Sequence, residues 1–410
     1  MTMNDDDFEL ACQFMIDLAI LGHRSGLNAP YLESSLSDFA AHLGFSAHLL
    51  ATPKWFNFIF WREGDLQQRR HFVPVPAVNY NLSRLAEIGH LIHQLRHGKF
   101  TVAQSREQLK QIEQSAPPYG DVIVGLGYLF AGIGFAVLLS ASWLDVALSG
   151  LLSLVVYTLV ILTNHSTWLA QRLEMTAAFV SAVCAYSLAM LVFPGSDAFT
   201  VTLCTVIVFI PGLALTLGIG EIFAKSILSG TSRLIDGIAI TLKLYLGAAL
   251  GGWLVNTIQP IPSAVVSSSM PVAIQWISVL ALILGIALVF QVRYRDLVWA
   301  VLAGAIAYGG SKLGGQLGPW QGSFLGALFL GCYAHLFAWF RKEPTAVVWL
   351  PGVMILVPGA AAYLGVNIME TSGVVSSFTA FTNVMVQIGA IVSGIVIATS
   401  VMPRRSRERT

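Results

Sequence analysis

From about residue 121 to residue 403 the chain is a ladder of apolar runs separated by short polar stretches. Ten runs stand out, near 121–141, 143–163, 175–194, 199–219, 235–256, 272–290, 297–314, 321–339, 346–366 and 377–402. An apolar run of about 20 residues crosses the hydrocarbon core of a bilayer as a helix. Inside lipid a helix satisfies its own backbone hydrogen bonds, which an open strand cannot do. The pattern predicts a polytopic α-helical membrane protein.

The first 118 residues follow another rhythm. Helical spacing runs through 8–26 (Leu10, Phe14, Leu18, Leu21) and 31–43 (Leu32, Leu36, Phe39, Leu43). Three short strands are expected at Ala47–Ala51, Trp55–Trp61 and Arg70–Val75. The middle one alternates Trp55, Asn57, Ile59 and Trp61 with Phe56, Phe58 and Phe60. Glu63-Gly64-Asp65 suits a hairpin turn. Two further helices are expected near 81–97 and 101–115, ending at Pro117-Pro118. This order predicts an α+β domain.

Charge sharpens the division. The chain is 55% hydrophobic and 11% charged, with mean hydropathy +0.71, against about 25% charged in a soluble domain. Of 23 basic and 22 acidic residues, 22 fall before residue 121 and five after Pro403. The opening Asp5-Asp6-Asp7 is unlike a positive signal n-region, so the front domain is expected in the cytoplasm. The inner loops then hold Arg172, Lys225, Arg233, Arg293, Arg295, Arg341 and Lys342, and the outer loops Lys312, as the positive-inside rule requires. The tail Arg404-Arg405-Ser406-Arg407 falls inside and suits anionic lipid. Net charge of +1 gives no sign of a nucleic-acid partner. Cys12, Cys184, Cys204 and Cys332 fit neither a zinc site nor a disulfide framework.

The two sets of five runs look related. Each carries an Asp where a run begins, Asp145 and Asp296, and a Pro-Gly pair in its fourth run: Pro211-Gly212, and Pro351-Gly352 with Pro358-Gly359. Five is odd, so a repeated half lies upside down, and inverted repeats with broken helices are a transporter signature. Pro and Gly can open a half-helix whose free N–H groups and positive end face a carboxylate. These breaks are the expected substrate region, around a polar midplane cavity.

Other candidates carry two readings each. Lys243, mid-run, either meets a substrate carboxylate or snorkels to the inner surface. Glu221 couples protons or pairs with Lys225 at i+4. Asp236 and Arg233 lie near it at the inner ends. Asp145 and Asp296 are coupling groups or helix N-caps. Thr216, Asn383 and Gln387 bind a hydroxyl or ammonium group or join helices. Gly247-x-x-x-Gly251 and Gly322-x-x-x-Gly326 permit close helix packing. His90, His93 and His97 share one helix face; they could hold a metal, but read as a solvated face near a helix C-terminus.

Several separated stretches resemble the threonine/serine exporter (ThrE) family in its fused two-half form. They are "SGLNAPYLESSLSDFAAHLG", "LSRLAEIGHLIHQLRHGKFTVAQSREQLKQIEQSAPPY", "IPGLALTLGIGEIFAKSILSGTSRL", "FQVRYRDLVWAVLAGAIAYG" and "LPGVMILVPG". The resemblance covers about residues 8 to 402. It departs from the family pattern at Tyr31-Leu32-Glu33 (an Arg-Val-Glu-like triplet), at Thr52-Pro53-Lys54, and at Glu221, where Asp is common. It implies proton-driven export of small hydroxy amino acids; a related split system exports C4 dicarboxylates such as succinate.

The sequence therefore leads to a multi-pass inner-membrane transporter with both termini cytoplasmic. Its expected parts are an α+β domain (1–118), two inverted five-helix halves (119–258 and 259–403) and a basic tail (404–410). Expected partners are lipid, protons and a small-molecule substrate, threonine and serine first and a dicarboxylate second. No metal or cofactor is expected, and a homo-oligomer is left open. A membrane-bound sensor or hydrolase is the rival class; no nucleophile–base motif or P-loop is present to support it.

Overall fold

The computed structural model describes residues 4–52, 54–62, 67–76, 78–259, 270–372 and 374–401. The expected turn at Glu63-Gly64-Asp65 and the basic tail lie outside the described residues. The front segment follows the predicted order: α1 (Asp5–Ser25), α2 (Ala29–His42), β1 (Phe45–Ala51), β2 (Trp55–Arg62), β3 (Arg69–Pro74), α3 (Leu82–Arg96) and α4 (Val102–Gln114). The strands form an antiparallel sheet in the order β1-β2-β3, with Leu49 opposite Phe58 and Phe58 opposite His71. Phe56, Phe58 and Phe60 are buried, as the alternation of β2 requires. Side-chain caps start the helices: Asn28 on α2, Asn81 on α3, and a Thr101–Gln104 capping box on α4.

The apolar portion comprises α5 (Asp121–Leu138), α6 (Trp143–Thr163), the short α7 (Thr167–Ala170), α8 (Leu173–Leu191), α9 (Ala198–Thr205), α10 (Gly212–Phe223) and α11 (Ile227–Asn256). It continues through α12 (Val272–Val289), α13 (Leu297–Gly315), α14 (Pro319–Arg341), α15 (Ala346–Val353), α16 (Gly359–Ser372) and α17 (Val374–Val401). Eight described helices are long and apolar enough to cross a membrane. The run near 199–219 bends by 53° after α9, and as one unit gives a ninth. The run near 346–366 splits into α15 and α16, each too short to count alone.

Small residues set how the helices meet. Helix α5 packs on α12, where a Cβ at Gly127 would meet the carbonyl of Gly285 and one at Gly285 that of Gly127. Helix α11 packs on α8 through Gly247 and Gly251, against the carbonyls of Met175 and Phe179. Gly322 and Gly326 of α14 approach the Ser311 and Ala307 carbonyls of α13 in the same way. Both GxxxG stripes thus serve packing within this chain. Helix α14 also packs on α17, α10 on α17, and α11 on α16. One apolar cluster runs without interruption from Phe8, Phe56 and Leu85 into Leu213, Leu282, Ala303 and Leu350, so the front segment is fused to the helical bundle through a shared core.

Candidate functional site

Pro211-Gly212 lies at a chain break. After α9 come one 3-10 turn (Ile207–Phe209) and an extended Ile210; Pro211 then caps α10, which starts at Gly212. Proline suits a helix start, where its missing N–H costs nothing. In the second half only one of the two Pro-Gly pairs does the same. Pro358-Gly359 opens α16 after a break at 354–358. Pro351-Gly352, expected as part of that break, sits inside α15.

The two restarts meet. A Cβ on Gly212 would overlap Val357 and lie 3.1 Å from Gly359 Cα; one on Gly359 would lie 3.1 Å from Gly212 Cα. Only glycine lets the two backbones come so close. The first N–H groups of a helix have no acceptor within it, so α10 and α16 bring their positive dipole ends to one place, although the Gly212 N–H is taken by the Ile210 carbonyl at 2.8 Å. A cavity of about 80 Å³ opens there, lined by Ile210, Gly212, Val357, Gly359 and Ala360, with Phe135 of α5, Leu282 and Ile286 of α12, and Phe290 at its cap.

The expectation of a polar lining is corrected: the lining side chains are apolar, and polarity can come from the backbone at the helix starts. Thr216, Lys243, Asn383 and Gln387 do not line the cavity. Thr216 is buried one turn into α10, and its hydroxyl has no partner among the described residues. Asn383 is exposed and Gln387 half-buried on α17. Lys243 is 47% exposed and lies 3.8 Å from the half-buried Glu174 of α8.

The expected coupling groups separate into distinct surroundings. Glu221 is 1% exposed. One of its oxygens accepts Arg233 Nε at 3.1 Å and meets Nη2 at 2.9 Å; the other accepts the Ser229 hydroxyl at 2.8 Å. The alternative pairing with Lys225 does not form, because α10 ends at Phe223 and Lys225 sits in a left-handed conformation (φ 66°). Asp236 is exposed on α11, apart from that pair. On the front segment, burial raises the Glu33 carboxyl above its usual range; the Ala51 N–H bond at 3.1 Å and His48 oppose the rise, and the charge of Glu221 adds to it.

Asp145 is buried but is not the N-cap of α6; Ser142 is, and Asp145 accepts both the Ser142 hydroxyl (2.7 Å) and the Asp197 N–H (3.0 Å). Asp296 stands at the N-cap of α13 without a side-chain cap bond. Instead its fully buried carboxylate meets Arg293 at 2.8 Å and Arg341 at 3.3 Å. Glu343, which the sequence reading missed, joins that group at 2.5 Å from Arg293, 3.0 Å from Arg295 and 3.9 Å from His90 of α3. An acid directly after Arg341-Lys342, in a loop otherwise basic, was the available signal. His97 contacts the His93 carbonyl, and no metal-type cluster of His, Cys, Asp or Glu occurs among the described residues.

The family model described as "Putative threonine/serine exporter" matches residues 13–254, more than half of the chain. The chain belongs to the threonine/serine exporter family. A second model, "Threonine/Serine exporter, ThrE", matches residues 275–401, so the two cover both restarts. A Corynebacterium glutamicum "Threonine/serine exporter" is 23% identical over 82% of this chain and 70% of its own length. A Mycobacterium tuberculosis "Probable threonine/serine exporter" is 24% identical over 69% of this chain and 55% of its own. An uncharacterised Schizosaccharomyces pombe protein is 22% identical over 92% of this chain and 47% of its own; the chain spans about half the length of that relative. No solved structure matches. Membership of this family, with eight described apolar helices of spanning length, fits a multi-pass membrane protein.

Proposed function

We propose that this chain exports threonine and serine from the cytoplasm by alternating access, driven by the proton-motive force. It crosses the inner membrane ten times, as two inverted five-helix halves, with both termini cytoplasmic. The observation that carries the reading is the meeting of two helix starts at Gly212 and Gly359 on one cavity. There the α-carboxylate of an amino acid takes first-turn N–H groups of α10 or α16.

Matched contacts support the inverted repeat. The α8–α11 contact of the first half has its counterpart in α14–α17 of the second, and α10–α17 has its counterpart in α11–α16. The pairs Gly127/Gly285 and Gly212/Gly359 each join corresponding runs of the two halves, the first with the sixth and the fourth with the ninth. Exposed aromatics support the placement in lipid. Trp168, Phe223, Tyr294 and Trp339 stand at the basic ends of the runs, and Trp143, Trp253 and Trp320 at the opposite ends, as interfacial belts do. Glu221 is the proposed proton carrier: protonation removes its attraction for Arg233 and frees the ends of α10 and α11 to part. Asp145 and Asp296 are fixed by their partners and position helix ends.

A second reading is favoured by one feature. Two helix starts facing one cavity could each take a carboxylate, which suits a C4 dicarboxylate. Purified protein in liposomes, tested for exchange of labelled threonine, serine and succinate with and without a pH gradient, decides between them. Exchange of threonine and serine that responds to the gradient is expected; uptake of succinate without threonine overturns the first reading.

A further inference from the structure

The end of α12 is held from outside the bundle. At the C-cap of α12 and the two residues after it, three successive carbonyls are taken from outside the bundle, two by the front segment and one by Tyr119 in the link to α5. Leu82 N–H donates to Phe290 O and Ser83 N–H to Gln291 O, both at 2.9 Å; the Tyr119 hydroxyl donates to Val292 O at 2.5 Å. The two amides belong to the first turn of α3, so the positive start of one helix caps the negative end of another. The same strap is tied on its other side to the end of α1, where Asn79 N–H donates to Arg24 O at 2.8 Å. Tyr80, at its centre, stacks on Phe290 with ring centroids 4.9 Å apart and 29° between planes.

Phe290 is also a wall of the central cavity, whereas Tyr80 is not. Tyr80 therefore backs that wall from the side of the front segment. Burial raises the Tyr80 hydroxyl above its usual range, with the charge of Arg233 opposing the rise and that of Glu221 adding to it. Tyr119 adds an edge-on contact with Tyr294, ring centroids 4.6 Å apart, at the turn that leads into α13.

We propose that the strap Asn79–Ser83, with Tyr119, is the inner gate of the cavity. The front segment clamps the end of α12, Tyr80 bolts Phe290 in place, and the cavity opens toward the front segment when this clasp releases α12. The gate's role in export rests on the cavity being the substrate site, as proposed above; its role in access does not.

Two measurements separate these. First, with Cys12, Cys184, Cys204 and Cys332 replaced by Ala, the cavity residue Ala360 becomes a probe as Ala360→Cys, labelled with a membrane-impermeant maleimide in vesicles whose front segment faces the medium. Tyr80→Ala should raise the labelling rate roughly two- to tenfold, the population change expected from losing one aromatic pair, while Tyr80→Phe, which keeps the ring, should leave it unchanged. Equal labelling in Tyr80→Ala and the parent overturns the gate, whatever the protein carries. Second, Tyr80→Cys with Phe290→Cys, joined by a short reducible thiol cross-linker, should stop substrate exchange in liposomes and recover it on reduction. Exchange that continues in the cross-linked protein overturns the proposal even where Tyr80→Ala fails to fold. A parent that exchanges no substrate, yet shows the labelling difference, removes the transport reading and leaves the gate.

Discussion

At the scale of single residues, chemistry was legible and partnership was not. Glu221 stands out in an apolar chain, but the helix rule of i+4 pointed to Lys225, and that rule fails because the helix stops two residues short of it. The partner, Arg233, reaches Glu221 from the next helix. Glu221→Gln should abolish any pH response of exchange and also lower stability by about 3–5 kcal/mol, since it leaves a buried guanidinium without its counter-charge; thermal melting and gradient-driven exchange read the two effects separately. Gly212→Ala should cost about 1–3 kcal/mol, the usual penalty of an overfilled contact. Adding Val357→Ala should recover part of that, because Val357 gives the worst overlap while the Gly359 backbone, at 3.1 Å, cannot give way. Lys243→Ala should leave exchange and its pH response unaltered, since its side chain is 47% exposed and its ion pair is with the half-buried Glu174 at 3.8 Å, away from the cavity. A loss of exchange there would return Lys243 to the list of substrate contacts.

At the scale of elements, the apolar runs and the α+β order of the front segment could be read directly, because each rests on a local period. The breaks could be located only to within a run. Pro351-Gly352 and Pro358-Gly359 are the same two letters in the same apolar setting, and nothing local says which one opens a helix. Packing decides: Gly352 is pressed on Leu330 and Ala303, which holds α15 on α13, while Gly359 meets Gly212. The pairs should therefore respond differently to substitution. Pro351→Ala restores an N–H facing the Val347 carbonyl within α15, and should leave exchange intact while raising stability by up to about 3 kcal/mol. Pro358→Ala removes the fixed first turn of α16 and should reduce exchange strongly with little change in melting temperature. Equal effects of the two substitutions would mean that both pairs are packing kinks and that neither start serves the substrate.

At the scale of the whole molecule, the joint between the front segment and the helices was invisible in the sequence, since it pairs residues far apart in the chain, such as Leu82 with Phe290 and His90 with Glu343, and has no period. Glu343 shows the principle. It is one acid beside two basic residues, yet it is 5% exposed and gathers Arg293, Arg295 and, at 3.9 Å, His90 of the front segment. Asp296 holds Arg293 and Arg341 beside it, so two carboxylates balance three guanidinium groups where α3, the α12–α13 turn and the α14–α15 turn converge. Next to it, a Cβ at Gly89 would overlap Pro344, so α3 lies directly on this turn. Removing the Glu343 charge leaves Asp296 as the sole acid among those three cations. Glu343→Gln should then destabilise the protein by about 3–5 kcal/mol, as loss of one partner from a buried ion cluster does, and the weakening should concentrate at the joint. Limited proteolysis should cut the front segment free at lower protease concentration, while α5–α11 keep their protection against hydrogen exchange. Uniform loosening of both regions would mean that the cluster supports the bundle itself, and that the front segment is held by its shared apolar core alone.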